Sequence, residues 1–305
     1  MAHMHWVRSS KSRIALNGAR VARAVVCALF AALLGCTTIG ASTGCVGPPL
    51  QRAHWRPAFE GVSLASFHRA LPEPIAIWAA RIDLRAPGIR FFVTPPLEPG
   101  ASETSGMKTS TFLKRYGLQL AVNASAFDPV QENEGTPIRI VGLSVSEGVM
   151  YSPPSENYGA LMIDRANRVT IAAPPVDASN AYNGVGGFGA LLEHGENVGE
   201  EEEKRHPRTA AGVSRDGRYL YLLVLDGRQP LHSAGATTAE TADWMKWLGA
   251  YDALNLDGGG SSAMVIADEA GGAKILNRPI HNGVPGTERV VGNHLGIFAR
   301  PLHSR

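Results

Sequence analysis

The segment with the clearest chemical potential is a carboxylate followed by three glycines and two serines. An apolar strand, Ala253–Leu256, ends at Asp257. The residues that follow are Gly258, Gly259, Gly260, Ser261 and Ser262. Three successive glycines lose much backbone entropy on folding, which predicts a turn with positive φ or a backbone that a ligand approaches closely. Amide N–H groups and serine hydroxyls there can bind an anion beside the carboxylate, although a plain flexible turn also fits.

Two other apolar strands also end at polar side chains. Leu118–Val122 is followed by Asn123, and Tyr219–Leu225 is followed by Asp226-Gly227-Arg228. Ligands commonly lie beyond strand ends, where irregular loops converge. Asp226-Gly227 is by itself an ordinary turn dipeptide, and Asn123 can bond its own backbone. Taken together, the three strand ends predict a single site.

Further polar residues could complete that site. Arg208, which precedes Thr209, and Arg289 carry planar guanidinium groups suited to bidentate contacts with phosphate. Glu240 fits a catalytic carboxylate and a helix cap equally well, because Thr237-Thr238-Ala239-Glu240 has the form of a capping box. Oxygen ligands of the kind that Ca²⁺ accepts are present at Asp226, Asn255 and Asp257. No metal-loop spacing accompanies them, so a divalent cation stays open and no other cofactor is expected.

Several familiar signatures are absent or fail in context. Gly184–Gly189 satisfies the G-x-G-x-x-G pattern, but no apolar strand precedes it and no useful helix follows, which favours a tight turn over a dinucleotide site. Beyond residue 45 the sequence contains no G-x-S-x-G motif, and the whole chain contains no H-E-x-x-H or P-loop motif. The acidic run Glu200–Glu203 is expected to be a solvated loop. The scattered histidines, His206 and His281 among them, favour surface or structural roles over metal ligation.

The first 45 residues have the layout of an export signal. They hold five basic residues and no acidic ones, and the apolar run Ala24–Leu34 is too short to span the roughly 30 Å core of a bilayer. Leu33-Leu34-Gly35-Cys36 resembles a bacterial lipoprotein box, which predicts a lipid anchor on Cys36 in the periplasm or at the cell surface. An ordinary cleaved signal would instead give a secreted protein. All three cysteines lie in this leader, so no disulfide is expected beyond it.

The net charge argues against a nucleic-acid partner. The chain has 29 basic and 27 acidic residues, and leaving out the five basic residues of the leader gives 24 against 27. The remainder is slightly acidic and lacks the basic stripe of a nucleic-acid binder. No other segment is apolar enough to cross a membrane, so membrane contact is expected only through the lipid anchor.

Short apolar runs bounded by turn residues predict strands along most of the chain. The principal ones are Ile75–Leu84, Arg90–Thr94, Leu118–Asn123, Leu143–Ser146, Leu161–Asp164, Val169–Ala172, Tyr219–Leu225 and Ala253–Leu256. Helices are predicted only at Thr109–Tyr116 and from Thr237 to the residue before Gly249. We expect an α+β fold, a single domain on a mixed β-sheet core with few helices. It would occupy residues 75–300, after a leader at 1–45 and a linker with an N-terminal extension at 46–74.

The order and spacing of several motifs resemble the phosphodiester glycosidase family over roughly residues 75–299. These motifs are Pro207-Arg208-Thr209, Leu225-Asp226-Gly227-Arg228-Gln229, Gly235-Ala236-Thr237 with Glu240, Asn255–Ser262, Asn277-Arg278-Pro279, and Glu288-Arg289 with Asn293. Asn123–Phe127 is similar to an earlier Asn-containing motif of the family, with alanine and serine where glycine is more usual.

The resemblance implies hydrolysis of a glycosyl-1-phosphodiester, such as one of N-acetylglucosamine, on envelope or extracellular glycans. The products would be a free sugar and a phosphomonoester, with cleavage at C–O or P–O left open. Asp257 would be the principal catalytic carboxylate, with Asp226 and Glu240 as a second carboxylate or as orienters of the arginines. The substrate contacts implied are Asn123, Arg208, Thr209, Arg228, Gly258, Gly259, Gly260, Ser261, Ser262 and Arg289.

Two hypotheses from other classes remain at this point. A non-catalytic phosphoglycan- or carbohydrate-binding lipoprotein could use the same concavity, and it would bind sugar phosphates without turnover. A structural protein of the envelope would bind neither ligand. The set of carboxylates and arginines favours the enzyme.

Overall fold

The computed structural model describes residues 47–202 and 204–302, which form mostly β-strands with two α-helices. The helices are α1 (Thr109–Tyr116) and α2 (Thr238–Leu248). In chain order the strands are β1 (Arg56–Phe59), β2 (Val62–Arg69), β3 (Ile75–Asp83), β4 (Arg90–Val93), β5 (Glu103–Ser105), β6 (Leu120–Asn123), β7 (Phe127–Asp128), β8 (Pro137–Ile140), β9 (Ser144–Ser146), β10 (Val149–Ser152), β11 (Gly159–Ile163), β12 (Val169–Ala172), β13 (Asn183–Gly187), β14 (Gly189–Glu193), β15 (Glu196–Asn197), β16 (Arg208–Val213), β17 (Tyr219–Leu225), β18 (Asp252–Asn255), β19 (Met264–Ala267), β20 (Ala273–Ile275), β21 (Ile280–His281), β22 (Val284–Pro285) and β23 (His294–Phe298).

The largest sheet has eight strands in the order β1-β2-β3-β17-β16-β18-β14-β15. Two five-stranded sheets, β10-β9-β13-β11-β12 and β20-β19-β6-β23-β4, and two smaller ones complete the fold. The expected small number of helices is confirmed. The expected mixed sheet is wrong for the described residues, because the named strands pair antiparallel throughout. Hairpins and loops join them, and antiparallel pairing needs no crossover helix.

The main hydrophobic core lies between the large sheet and the two five-stranded sheets. Leu222 and Leu254 of the large sheet pack with Leu161 of β11 and with Val122 and Leu295 of the sheet around β6. All five side chains are essentially removed from solvent. The ends of β6 and β18 are therefore held against one another by this core, and these two strands lead into the residues predicted to carry chemistry.

The opposite face of the large sheet is covered by α2. Trp244 and Met245 on α2 are fully buried and pack with Leu223 and Leu225 of β17. The helix begins after Thr237, whose hydroxyl accepts a hydrogen bond from the Glu240 amide at 3.1 Å, as the capping-box sequence predicts. Neither helix in the described part of the chain is long and apolar enough to cross a membrane.

The predicted leader, including Cys36, lies outside the described residues. Its role in export and lipid attachment therefore stays a prediction. Within the stretch 46–74, β1 and β2 extend the large sheet by pairing next to β3. The N-terminal extension thus contributes strands to the fold.

One local prediction is wrong for an identifiable reason. Gly184–Gly189 is not a tight turn, because most of it forms the buried strand β13, and a Cβ at Gly187 would lie 2.6 Å from Leu254. The acidic run is a loop whose Glu200 and Glu201 are exposed, as the sequence predicts, and of its described residues only Glu202 is partly buried. The Glu202 carboxylate accepts hydrogen bonds from Arg208 and from the Thr238 amide at the start of α2, so the run helps to cap that helix.

Candidate active site

The Asp257–Ser262 turn is fixed by its own backbone. The Asp257 amide donates to the Ala124 carbonyl at 2.8 Å, and the Gly259 amide donates to the Pro207 carbonyl at 2.9 Å. Gly259 begins a short 3₁₀ turn with φ of +61°, a conformation that side chains disfavour. The turn therefore bridges the ends of β6 and β16, and this use of glycine explains part of the Gly-Gly-Gly sequence.

Asn123 supports the turn from beneath. Its side-chain amide donates to the Asp257 carbonyl at 2.6 Å, and its oxygen accepts hydrogen bonds from the Thr209 hydroxyl and the Ala263 amide. Asn123 and Thr209 are both fully buried. We expected them to contact substrate, but the protein occupies their polar groups and places them under the turn, where they position Asp257.

Asp257 is a carboxylate in a desolvated setting. Burial raises the pKa of Asp257 to about 6, and the hydrogen bond of the Ser261 hydroxyl, the charge of Arg289 and the Gly258 amide oppose that shift. A carboxyl with this pKa is mainly ionised at neutral pH and still accepts a proton readily. Such a pKa suits a general base or an electrostatic stabiliser of positive charge.

Two arginines lie against the glycines. A Cβ at Gly259 would come 3.2 Å from the Arg228 guanidinium, and a Cβ at Gly260 would overlap the Arg289 guanidinium at 2.5 Å. Among the described residues, no carboxylate lies within 4.0 Å of either guanidinium. Burial and the positive charges of Arg289 and Arg208 lower the pKa of Arg228. The two guanidinium groups therefore form no direct ion pair within the described residues, which leaves them available to an anionic ligand.

Each of these arginines is held by a histidine that sequence reasoning treated as incidental. Arg228 donates from Nη2 to His206 Nδ1 at 3.0 Å, and Arg289 donates from Nε to His281 Nδ1 at 3.2 Å. Arginine can only donate, so both Nδ1 atoms are acceptors. In His281, Nε2 then carries the hydrogen and donates to Glu132 at 3.0 Å. The histidines lie 22 and 8 positions from their arginines, and no sequence motif links the members of either pair.

We expect two substitutions of His281 to differ. Asparagine can place its oxygen near the Nδ1 position and keep the contact with Arg289, whereas glutamine places its amide near Nε2 and keeps only the Glu132 contact. His281→Gln should therefore raise KM for an anionic substrate by about tenfold or more, while His281→Asn stays close to wild type, because misplacing a binding group is costly. Steady-state KM and kcat measurements check this, and equal effects of the two variants would contradict the positioning role.

Both carboxylate oxygens of Asp226 accept hydrogen bonds from other groups of the protein. Asp226 is buried, and the donors are the Asn277 amide, the His232 ring and the Arg278 backbone amide at 2.7–2.9 Å. Burial raises the pKa of Asp226 against these hydrogen bonds. Asn277 also donates to the Ser262 carbonyl at 3.0 Å. The geometry gives Asp226 a positioning role in place of the catalytic one that we also considered.

Glu240 is occupied by structural contacts. It completes the capping box by accepting from the Thr237 amide at 3.0 Å, and its two oxygens form a bidentate pair with Nε and Nη2 of Arg205. Arg205 also pairs with Glu73. Capping therefore accounts for Glu240, and the catalytic role expected for it is not supported by the geometry.

Removing this cap is expected to affect stability and leave the chemistry intact. Glu240→Ala should lower the free energy of unfolding by about 1–2 kcal/mol, because the Thr237 amide and Arg205 lose their partner. Denaturant unfolding and kcat/KM measurements check the two halves of this expectation. Glu193→Ala, at an exposed position of β14, is the matched control. A large fall in kcat for a stably folded Glu240→Ala protein would restore the catalytic interpretation.

Arg208, Ser261 and Ser262 were also expected to contact the substrate. Arg208 is almost buried, pairs with Glu202 at 2.6 Å and donates to the Ala236 carbonyl, so it is less free than Arg228. The Ser261 hydroxyl accepts from Arg289 at 3.4 Å. The Ser262 hydroxyl is buried and has no hydrogen-bond partner among the described residues.

The oxygen ligands considered for a divalent cation do not fit one. Asp226 spends both oxygens on protein donors, and Asp257 lies beside positively charged Arg289. Over residues 47–202 and 204–302, no group of three or more His, Cys, Asp or Glu side chains converges as a metal site would require.

The sequence that forms this site matches a known protein family. A sequence profile of the phosphodiester glycosidase family matches residues 116–298, which is more than half of the chain. The chain belongs to the phosphodiester glycosidase family. The matched segment begins at Tyr116, the last residue of α1, and includes the Asp257 turn, Arg228 and Arg289. No curated protein sequence matches the chain significantly.

Solved structures share the fold of this phosphodiester glycosidase family member. The catalytic domain of zebrafish N-acetylglucosamine-1-phosphodiester α-N-acetylglucosaminidase, auto-inhibited by its pro-peptide, has a TM-score of 0.61 at 19% identity, covering 82% of this chain and 87% of that domain. A Burkholderia pseudomallei protein described as exported has a TM-score of 0.57 at 18% identity, with 75% of each chain covered. A hypothetical protein from Synechocystis has a TM-score of 0.60 at 18% identity, and the match covers 79% of this chain but only 62% of that protein.

Proposed function

We propose that the protein hydrolyses a glycosyl-1-phosphodiester, with an N-acetylglucosamine-like sugar as the first candidate. The observation that carries the proposal is the pair of arginines without carboxylate partners, Arg228 and Arg289, against the glycine turn that follows Asp257. A phosphodiester is a permanent anion, and guanidinium groups with backbone amides suit its oxygens. Membership of the family supports the same reaction class.

The arrangement suits cleavage at the anomeric carbon. In this reaction, the bond between C1 and the bridging oxygen breaks, and its electron pair leaves with the phosphate. Water adds its oxygen to C1, and one of its protons passes to the Asp257 carboxylate. The leaving phosphomonoester gains negative charge, which Arg228 and Arg289 stabilise, so proton donation to the leaving group matters less than for an ordinary glycoside.

Isotopic labelling tests both the reaction and the bond that breaks. The purified protein would be incubated in ¹⁸O-labelled water with the methyl diester of α-N-acetylglucosamine-1-phosphate and with diesters of other sugars. We expect free sugar that carries the label and an unlabelled methyl phosphate. Label in the phosphate would indicate P–O cleavage. Saturable binding of all the diesters with no product would instead support the phosphoglycan-binding alternative.

The proposed setting is the bacterial envelope or the extracellular space. It rests on the sequence of the leader and on Cys36, together with the glycan chemistry of the substrate. Metabolic labelling with a fatty acid, compared between the wild type and Cys36→Ala, tests the anchor. Loss of label in the variant is the expected result.

A further inference from the structure

An open cleft of about 350 Å³ lies on the face of the large sheet that carries α2, and Thr238 of that helix is part of its lining. Its size falls within the roughly 300–1,000 Å³ of small-ligand pockets. Its lining includes Phe188, Gly189, Glu202, Arg208 and Asn255. Asn255 precedes Asp257 by two residues, so the two Cα atoms are at most about 7 Å apart. The cleft is therefore within reach of a ligand that also contacts the turn.

The register of the sheet shows how this lining is built. Gly189 of β14 and Ala210 of β16 both lie opposite Asn255 of β18. Residues directly opposite in an antiparallel pair point to the same face, so a side chain at Gly189 would project beside Asn255. A Cβ there would meet no atom within 4 Å, and its φ is not in the left-handed region. The backbone conformation of Gly189 does not require a glycine, so the effect of this glycine is to keep the space beside Asn255 open.

Asn255 supplies unused hydrogen-bonding capacity at the cleft. The residue is only 7% exposed, and its Oδ1 is buried without a partner. No hydrogen bond joins its side chain to another described residue. A buried amide without hydrogen-bond partners raises the free energy of the unliganded protein. A ligand with hydroxyl or amide groups would bond to Asn255 and remove this penalty.

The cleft has a different electrostatic character from the arginine cluster. Arg208 is neutralised by Glu202, and Glu200 adds a further carboxylate to the lining. A phosphate is therefore disfavoured here. Phe188 is 43% exposed and is held edge-on by Tyr158, with ring centroids 5.6 Å apart. An exposed aromatic face beside polar groups suits a sugar ring, which has apolar C–H faces and polar edges.

We infer that this cleft is the subsite for the neutral sugar ring, an uncharged hexose or N-acetylhexosamine. The inference rests on the proposed function, in which the phosphodiester group lies at Arg228 and Arg289. The ring would stack on Phe188, and Asn255 would bond a hydroxyl or the acetamido group. Asn255 thus has a substrate-binding role in place of the metal-binding one considered from the sequence.

Filling the cleft tests this assignment. In the full chain, Gly189→Leu should abolish binding of free N-acetylglucosamine and raise KM for its phosphodiester by about tenfold or more, in the range of single pocket contacts. Inorganic phosphate should bind as it does to wild type, because the arginines are unchanged. Gly189→Ala is the matched control and should have a much smaller effect. Phe188→Ala should weaken sugar binding, and Phe188→Tyr should restore it.

The outcomes separate this inference from the proposed reaction. If the wild type binds free sugar, Gly189→Leu does not, and no diester is hydrolysed, the sugar subsite stands and the proposed function fails. If diesters are hydrolysed and Gly189→Leu retains the wild-type KM and sugar binding, the function stands and the subsite is wrong. A wild type that binds phosphate but none of a panel of neutral sugars, with kinetics unaffected by Gly189→Leu, would also overturn the subsite.

Discussion

Replacing Asp257 with asparagine is expected to lower kcat by about 10²–10⁴-fold while the protein stays folded. The substitution preserves the shape of the side chain and leaves the backbone contacts of Asp257 with Asn123 and Ala124 in place. It removes the charge that stabilises the positive anomeric carbon and accepts the proton of water. Kinetics on the purified variant measure the loss, and phosphate binding by the same variant confirms that the arginines remain in position. An active Asp257→Asn protein would exclude the proposed role.

The pH dependence of the wild type follows from the same carboxyl. Because the pKa of Asp257 is about 6, the ionised form that the mechanism needs accumulates as the pH rises through 6. We therefore expect kcat/KM to increase through this range and then level off. A profile that falls as the pH rises through 6 would show that Asp257 acts in its protonated form.

The stability of the same variant provides a separate control. The folded-state pKa is raised from 3.8, so the carboxyl contributes stability below about pH 4 that is lost as the pH rises through 6. Asparagine does not ionise. Asp257→Asn should consequently have a higher Tm than wild type at pH 7.5, and the difference should shrink towards pH 4.

Removing Arg289 is expected to have the second-largest effect, a loss of about 10²–10³-fold in kcat/KM for a phosphodiester. Arg289 lies on Gly260 beside Asp257, and it has no carboxylate partner among the described residues that would compete for it. Arg289→Lys should recover part of the loss, because charge is kept and the bidentate geometry is not. Arg228→Ala should act in the same direction.

The arginine variants need two controls, a variant of an unrelated arginine and a substrate without phosphate. Arg168→Ala removes an exposed arginine that pairs with Asp164, and it should leave kcat/KM unchanged. An aryl glycoside of the same sugar lacks the phosphate, so Arg289→Ala should reduce its slow hydrolysis far less. Equal losses on the two substrates would show that Arg289 supports the fold or Asp257 and does not bind phosphate.

The sequence alone predicts that Asn123, Asp226 and Asp257 lie in one region, because each residue follows a short apolar strand. Apolar strands that end at Asn123, Asp226 and Asp257 mark the ends of β6, β17 and β18, and the structure brings these ends into one hydrogen-bonded region. The sequence does not reveal whether a polar group faces a ligand or the protein. The side chains of Asn123 and Asp226 form hydrogen bonds within the protein, and only the three-dimensional structure shows which groups are their partners.

Several contacts that position the arginines have no signal in the sequence. Ser110 in the first turn of α1 donates its amide to Glu288, 178 positions away, so the segment before Arg289 is tied to that helix. His206 and His281 hold Arg228 and Arg289 through single ring nitrogens.

Strand β16 was also missed, because Arg-Thr-Ala-Ala-Gly-Val has few of the large β-branched and aromatic residues that indicate a strand. Its small side chains are used for close packing in the centre of the sheet.

The most direct test compares hydrolysis of two substrates by the wild type and by Asp257→Asn. The substrates are the methyl diester of α-N-acetylglucosamine-1-phosphate and the methyl α-glycoside of the same sugar, and free reducing sugar is measured for each. We expect turnover of the diester by the wild type, little or none of the glycoside, and loss of diester turnover in a folded Asp257→Asn protein. Turnover of the diester that survives in Asp257→Asn, or equal turnover of both substrates by the wild type, would contradict this expectation.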